Sequence, residues 1–290
     1  TILSEGRATL CVPLFSNIQL LHVSIFYIIK HNMLSFTKKI LKSLLCICLI
    51  VLSSCKKDRE NSFMSSSSFE DSARIDIPLR IAVLPMQECD ILRYAQTSGL
   101  AKTLGLNMEL ITYNSLMDID TAILSGSAHV YFEDSLRICR IKDDSIRPKM
   151  LLPVPVHFSL IANKDKNISS MKDLRTNMVG LTRWSQPKEW IRSLATESGI
   201  EHSDIYHAQI NNIELRFNMI HGGLIDAAII PQPWADSLAR LGHIVLKDSI
   251  LEGMGFYAST SLQMDSVLRE QGRLLKEVYL ESLKRQQTNM

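Results

Sequence analysis

The segment from Thr182 to Glu189 has the residue types of an anion-binding site. Ser185 or Gln186 can begin a helix, and Pro187 suits its first turn. The free backbone N–H groups at the start of a helix attract negative charge, and Arg183 could donate two hydrogen bonds to a carboxylate or a sulfonate. An ordinary capped helix, with Arg183 in solvent, is the alternative.

Aromatic and acidic side chains elsewhere could complete a site for a small polar molecule. Trp184 and Trp234 can stack on a flat ligand or on a cation, although each could instead serve packing. Glu133 and Asp134 could bind an amino group or hydroxyls, or could be ordinary surface acids. The expected ligand-binding residues are Met86, Gln87, Tyr131, Glu133, Asp134, Thr182, Arg183, Trp184, Ser185, Gln232 and Trp234.

These candidates follow the ends of predicted strands. Short apolar runs alternate with amphipathic segments that end at glycine, which predicts strands alternating with helices and hence mostly parallel sheets. Because ligands of open α/β sheets bind at the carboxyl ends of the strands, the candidates should meet at such an edge. The predicted strands are residues 79–84, 108–113 and 128–132 in the first half, and 178–181, 205–209 and 225–230 in the second.

A repeated motif indicates that the chain holds two such units. Leu124-x-Gly126-x-x-His129-Val130 aligns with His221-x-Gly223-x-x-Asp226-Ala227. Each copy places a glycine that ends a helix three residues before a polar residue that opens an apolar strand. We therefore expect two α/β lobes, with a crossover strand within residues 149–164, a return strand after Leu251 and a C-terminal helix from Met264 to about Arg285.

The residues before the first lobe have the layout of an export signal. Met33, interpreted as the initiator, precedes three lysines, a short apolar run and Leu52-Ser53-Ser54-Cys55, which resembles a bacterial lipoprotein signal whose cysteine receives the lipid. We expect upstream sequence at 1–32, the signal peptide at 33–54 and a Ser-rich tether at 55–74. Lobe 1 should span 75–155 and lobe 2 156–250, and residues 251–290 should return to lobe 1. A genuine N-terminal extension is the alternative for residues 1–32.

Composition is compatible with export and gives no sign of nucleic-acid binding. The first 54 residues hold five of the 32 basic residues and one of the 30 acidic ones, which leaves 27 against 29 and a net charge of −2. After Cys55 only Cys89 and Cys139 remain, free or joined in a disulfide. The chain has no paired-cysteine spacing typical of a zinc site. We expect neither a metal nor a cofactor.

A series of short motifs runs through both halves of the chain. In order they are Ile81-Ala82-Val83, Gly99-Leu100-Ala101, Leu104-Gly105-Leu106, Met171-Lys172-Asp173-Leu174, Val179-Gly180, Ser198-Gly199-Ile200, Asp204-Ile205, Gly223-x-Ile225-Asp226-Ala227-Ala228 and Gln232-Pro233-Trp234. Over roughly residues 79–285 their order resembles the type II periplasmic substrate-binding proteins of ABC importers, in the sulfonate, nitrate and thiamine-precursor branch. The departures are His129, where the family more often has Asp, and the turn at residues 175–177.

The resemblance implies a two-lobe α/β fold of the periplasmic-binding-protein type, each lobe a mostly parallel sheet flanked by helices. It implies a monomer outside the cytoplasmic membrane that captures a small polar, anionic or aminopyrimidine-like ligand by hinge closure and delivers it to ABC permease subunits. Membrane attachment would come from lipidated Cys55. The alternatives are an enzyme of menaquinone- or thiamine-pathway type on the same fold, with no catalytic residues identified here, and a ligand-sensing lipoprotein outside transport.

Overall fold

The computed structural model describes residues 77–288. The predicted upstream sequence, signal peptide and tether, with Cys55, lie outside this range. No helix within 77–288 is both long and apolar enough to cross a lipid bilayer.

Ten strands and nine helices make up the described chain. The strands are β1 (Leu79–Val83), β2 (Met108–Thr112), β3 (Val130–Asp134), β4 (Lys149–Pro153), β5 (Val156–Ala162), β6 (Met178–Leu181), β7 (Tyr206–Gln209), β8 (Ala227–Pro231), β9 (Ile244–Leu251) and β10 (Met254–Ala258). The helices are α1 (Gln87–Thr97), α2 (Leu100–Thr103), α3 (Leu116–Ser125), α4 (Ser135–Ile138), α5 (Gln186–Glu197), α6 (Ile213–His221), α7 (Trp234–Arg240), α8 (Thr260–Met264) and α9 (Ser266–Thr288). Two short 3₁₀ turns cover Met171–Leu174 and His202–Asp204.

The strands form two five-stranded sheets with the same plan. The first has the order β2-β1-β3-β10-β4 and the second β7-β6-β8-β5-β9. In each sheet the fourth strand is antiparallel to both of its neighbours, so the other four strands run in one direction. This confirms the expected two-lobe α/β fold with mostly parallel sheets. We call the part built on the first sheet the first lobe and the part built on the second sheet the second lobe.

The chain passes between the sheets twice. Val154 and Pro155 separate β4 in the first sheet from β5 in the second, so the segment expected to be one crossover strand is two strands. Glu252 and Gly253 separate β9 from β10, which returns to the first sheet. β9 was not predicted, because its outward-facing residues interrupt the apolar pattern.

The C-terminal helix α9 packs on the first lobe. The ring of Phe256 in β10 lies edge-on to Phe132 in β3 and to Tyr279 in α9, with centroids 5.0 and 5.5 Å apart. Apolar burial of these rings explains why the last part of the chain rejoins the lobe in which it began. Within the same lobe Cys89 is buried and Cys139 is exposed, and both are free thiols.

The repeated motif performs the same structural role in both lobes. Nδ1 of His129, just before β3, accepts a hydrogen bond from the backbone N–H of Arg80 in β1 at 3.1 Å. Oδ2 of Asp226, just before β8, accepts one from the N–H of Met178 in β6 at 2.8 Å. The registers match, since each acceptor precedes by one residue the first paired residue of its strand. His129 therefore replaces aspartate as a hydrogen-bond acceptor.

Candidate functional site

A small cavity separates the two lobes at the carboxyl ends of their parallel strands. Its volume is about 20 Å³, room for about one water molecule. Most of its wall is apolar, and the polar side chains that reach it all belong to the second lobe. The first lobe contributes Leu84, Met86, Leu116 and Met254, and the second contributes Phe158, Thr182, Pro187, Asn211, Ile213, Arg216 and Pro231.

Arg216 is the charged group of this cavity. Its side chain is 3% exposed, and its Nη1 donates to Oγ1 of Thr182 at 2.9 Å and to the carbonyl oxygen of Ile210 at 2.8 Å. Its Nε is buried without a hydrogen-bond partner. Desolvation lowers the pKa of Arg216 to about 10, so the guanidinium remains charged at neutral pH.

The space beside this arginine at position 180 is too small for a side chain. A Cβ at Gly180, in β6, would lie 2.7 Å from Cδ1 of Ile225 and 3.4 Å from Cγ of Arg216. Any larger residue would collide with Ile225, since real Cβ atoms do not approach other atoms that closely, and would touch the stem of the arginine.

The two lobes are joined beside the cavity by a buried carboxylate. Asp134, at the end of β3, accepts a hydrogen bond through Oδ2 from the backbone N–H of Gln186, the first residue of α5, at 2.6 Å. Oδ1 of Asp134 accepts from the N–H of Leu136 at 2.9 Å. Burial raises the pKa of Asp134 to about 6, although these two hydrogen bonds oppose the shift. The N-terminus of α5, expected to attract a ligand anion, thus receives a carboxylate from the other lobe.

Arg137 supports the same junction from the first lobe. It pairs with Asp120, lies 3.5 Å from Oε1 of Glu133 through its Nε, and donates from Nη1 to the carbonyl oxygen of Arg183 at 2.8 Å. Glu133 is fully buried, and desolvation together with the charge of Asp120 holds its pKa well above the usual range. Glu133, which was predicted to bind ligand, is therefore buried beside Arg137 and does not line the cavity.

Hydrogen bonds also cross between the lobes at two other places. The N–H of Gln87 donates to the carbonyl oxygen of Gln232 at 2.9 Å, and Nε1 of Trp234 donates to the carbonyl oxygen of Pro85 at 2.7 Å. The N–H of Ile213 donates to the carbonyl oxygen of Asn114 at 3.1 Å. The lobes are thus in contact around the cavity, which corresponds to a closed conformation.

The structure brings only two of the predicted ligand residues, Met86 and Thr182, to the wall of this cavity. Contacts between the lobes are made instead by Gln87, Asp134, Gln232 and Trp234. Arg183 contributes only its carbonyl oxygen, which accepts the hydrogen bond from Arg137. Ser185 is buried and donates from Oγ to the carbonyl oxygen of Thr182 at 2.7 Å.

Tyr131 and Trp184 were predicted to bind ligand, but neither side chain lines the cavity. Tyr131 is 1% exposed in the first-lobe core, and its hydroxyl donates to the carbonyl oxygen of Ala128 at 2.7 Å. This correction arises because alternate residues of a strand face opposite ways. Trp184 lies outside the cavity, in a groove of about 340 Å³, with the guanidiniums of Arg140 and Arg183 at 3.6 and 3.8 Å from its ring centroid.

Arg216 and Asn211 are the polar cavity residues that the sequence analysis missed. Arg216 belongs to helix α6, whose buried residues are Ile213, Arg216 and Ile220. An arginine within the apolar stripe of an amphipathic helix was therefore an available signal. Asn211 precedes α6 in a short loop, where polar residues are expected for other reasons.

Solved structures that resemble this chain include three binding proteins. The periplasmic aliphatic sulphonate-binding protein SsuA of Escherichia coli is 14% identical, with a TM-score of 0.53 over 73% of this chain and 75% of that chain. SsuA of Xanthomonas axonopodis pv. citri, bound to MOPS, is 15% identical, with a TM-score of 0.52 over 71% and 77%. The ligand-binding component of an ABC-type import system from Staphylococcus aureus, with zinc bound, is 13% identical, with a TM-score of 0.58 over 70% and 72%.

At sequence identities of 13–15%, the similarity to these structures shows the fold but not the ligand. No curated protein matches the sequence. Residues 90–237, half of the chain, match the family described as NMT1/THI5 like. This segment runs from α1 in the first lobe to α7 in the second and includes eight of the eleven residues that line the interlobe cavity; Leu84, Met86 and Met254 lie outside it. The chain belongs to the NMT1/THI5-like family.

Proposed function

We propose that the protein is the solute-binding component of an ABC importer, and that it captures a small polar ligand between its two lobes. The observation that carries this proposal is the interlobe cavity. It lies at the carboxyl ends of the parallel strands of both sheets, where open α/β sheets bind ligands. Its walls come from both lobes, so a ligand there would hold the lobes together.

Closure by hinge motion fits the way the chain connects the lobes. Only two short connections, at residues 154–155 and 252–253, join the two sheets within the described chain. A rotation at these points would open the cavity to solvent and break the hydrogen bonds between the lobes. A cavity with room for about one water must widen in this way to admit a larger ligand.

The solved structures of the same fold support transport rather than catalysis. Two are named as sulfonate-binding proteins and one as part of an import system. We therefore assign capture and delivery to this chain, with permease subunits as the partner that receives the ligand. We further propose export by the signal at residues 33–54 and attachment to the membrane through lipidated Cys55, with residues 55–74 as the tether.

The test is a ligand screen with a matched pair of variants. We expect at least one small polar compound to raise the melting temperature and to bind with one-to-one stoichiometry in calorimetry. Thr182→Val removes the hydroxyl at the cavity, whereas Thr196→Val makes the same change on the exposed face of α5. Weaker binding in the first variant alone supports capture between the lobes. Equal binding in both, or no ligand from a broad screen, contradicts it.

A further inference from the structure

We infer that the captured ligand is an anion and that Arg216 binds its charged group inside the interlobe cavity. This inference rests on the proposed function, because it names the class of solute that the same cavity takes. Three properties of Arg216 carry it: its burial, the absence of an ion-pair partner among residues 77–288 and an unused hydrogen-bond donor.

The charge of Arg216 has no counter-charge in the structure. Arg216 takes part in none of the ion pairs found among residues 77–288. Desolvation is the one influence on its pKa, with no contribution from a nearby carboxylate. A buried and unpaired cation costs several kcal/mol, so charged side chains this deep are ordinarily paired. An anionic ligand would supply the missing charge.

The hydrogen bonds of the guanidinium are also incomplete. Two hydrogen bonds are donated by Nη1, and their acceptors are a hydroxyl and a carbonyl oxygen, neither of which carries charge. Nε is buried without a partner. A planar guanidinium offers two parallel N–H groups to a carboxylate, sulfonate or phosphonate oxygen pair. Arg216 can therefore donate further hydrogen bonds to an oxyanion of the ligand.

Asn211 adds a second unpartnered atom to the same cavity. Its Oδ1 is buried without a hydrogen bond, whereas its Nδ2 donates to Sδ of Met117 at 3.6 Å. An oxygen acceptor in this position calls for an N–H or O–H group on the ligand. An anion that also carries a hydroxyl or amino group would satisfy both Arg216 and Asn211.

The experiment measures binding of small matched compounds to the full chain by calorimetry. Methanesulfonate, ethanesulfonate, isethionate and acetate serve as anions, and dimethyl sulfone and acetamide as uncharged analogues. We expect anions to bind and the uncharged analogues not to bind, with isethionate tighter than ethanesulfonate. Arg216→Met should weaken anion binding by about 10- to 100-fold, because a hydrogen bond to a charged group is lost.

Two further variants keep the result interpretable. Arg192→Met makes the same substitution at an exposed position of α5 and should leave anion binding unchanged. Arg216→Lys keeps the charge and should retain selectivity for anions at reduced affinity. Without ligand, Arg216→Met should melt at a higher temperature than the parent protein, because the unpaired buried charge is gone.

The outcomes separate the two proposals. If an uncharged compound binds and Arg216→Met binds it equally well, the assignment of an anion is overturned and capture between the lobes stands. If none of the anions binds but an uncharged compound from the broad screen does, the assignment of an anion is overturned; if the broad screen also gives no ligand, both proposals fail. If ethanesulfonate binds as tightly as isethionate, the role given to Asn211 is overturned.

Discussion

The carboxylate of Asp134 in the first lobe accepts a hydrogen bond from the backbone N–H of Gln186, the first residue of helix α5 in the second lobe, at 2.6 Å. Ser185 precedes this helix without a capping hydrogen bond from its side chain, and Pro187 has no N–H to satisfy. Asp134 thus caps a helix that belongs to the other lobe. This contact, the Asp134–Gln186 bridge, can exist only when the lobes are together.

We predict that Asp134→Ala favours the open form and weakens ligand binding about tenfold. The variant removes a hydrogen bond to a charged acceptor, which contributes about 1.5–3 kcal/mol, and leaves the N–H of Gln186 without its partner. Calorimetry with the ligand found in the screen measures the change. Asp204→Ala, at a partly exposed ion pair with Arg175, serves as the control. Equal affinities in the two variants would show that the bridge does not contribute to closure.

We predict that Asp134 makes the folded protein relatively more stable at pH 5 than at pH 7.5. Its pKa is raised from 3.8 to about 6 by burial, so the folded protein takes up a proton that the unfolded chain does not. The contribution is fully present below pH 3.8 and is lost as the pH rises through about 6, for a total of about 3 kcal/mol.

The measurement compares urea unfolding of the parent protein with that of Asp134→Asn at both pH values. Asparagine has no charge to lose, so the free-energy difference between the two proteins isolates this one group from Glu133 and other acids. We expect the parent to gain stability relative to the variant on going to pH 5. A constant difference would mean that Asp134 titrates as it does in the unfolded chain.

We predict that aspartate can replace His129 with little loss of stability. His129 and Asp226 occupy equivalent positions, and each accepts a backbone N–H from the neighbouring strand. His129→Ala leaves the N–H of Arg80 unpaired and should cost about 1–3 kcal/mol. Chemical unfolding at neutral pH measures both variants. The equivalence is wrong if His129→Asp is as unstable as His129→Ala.

We predict that Gly253→Ala disturbs lobe closure in addition to straining the backbone. Gly253 has φ +91°, and a Cβ there would collide with the Gln186 side chain and lie 3.0 Å from Oγ of Ser135. Gly242→Ala is a matched control, since its φ is +88° and its nearest neighbour would be 3.7 Å away. Both should lose stability, but only Gly253→Ala should also weaken ligand binding. Loss of binding in both variants would indicate a general effect of strain.

The sequence predicted the fold better than it predicted the site. Strand and helix order follows from local periodicity, whereas of the residues predicted to bind ligand only Met86 and Thr182 line the interlobe cavity. Their partners could not be read from the chain, because the Asp134–Gln186 bridge joins residues far apart in sequence. The environment of Arg216 could not be read either, since its hydrogen-bond acceptors, Thr182 and Ile210, lie outside its own helix.

The most direct test of ligand capture is hydrogen–deuterium exchange of the backbone amides that bond between the lobes. The amides of Gln87, Gln186 and Ile213 are protected by acceptors on the opposite lobe. The amide of Ser198 bonds within its own lobe and serves as the reference. We predict that a saturating ligand slows exchange at the three interlobe amides and leaves Ser198 unchanged, because the ligand shifts the population to the closed form. Unchanged exchange at all three amides with ligand bound would contradict closure around a captured solute.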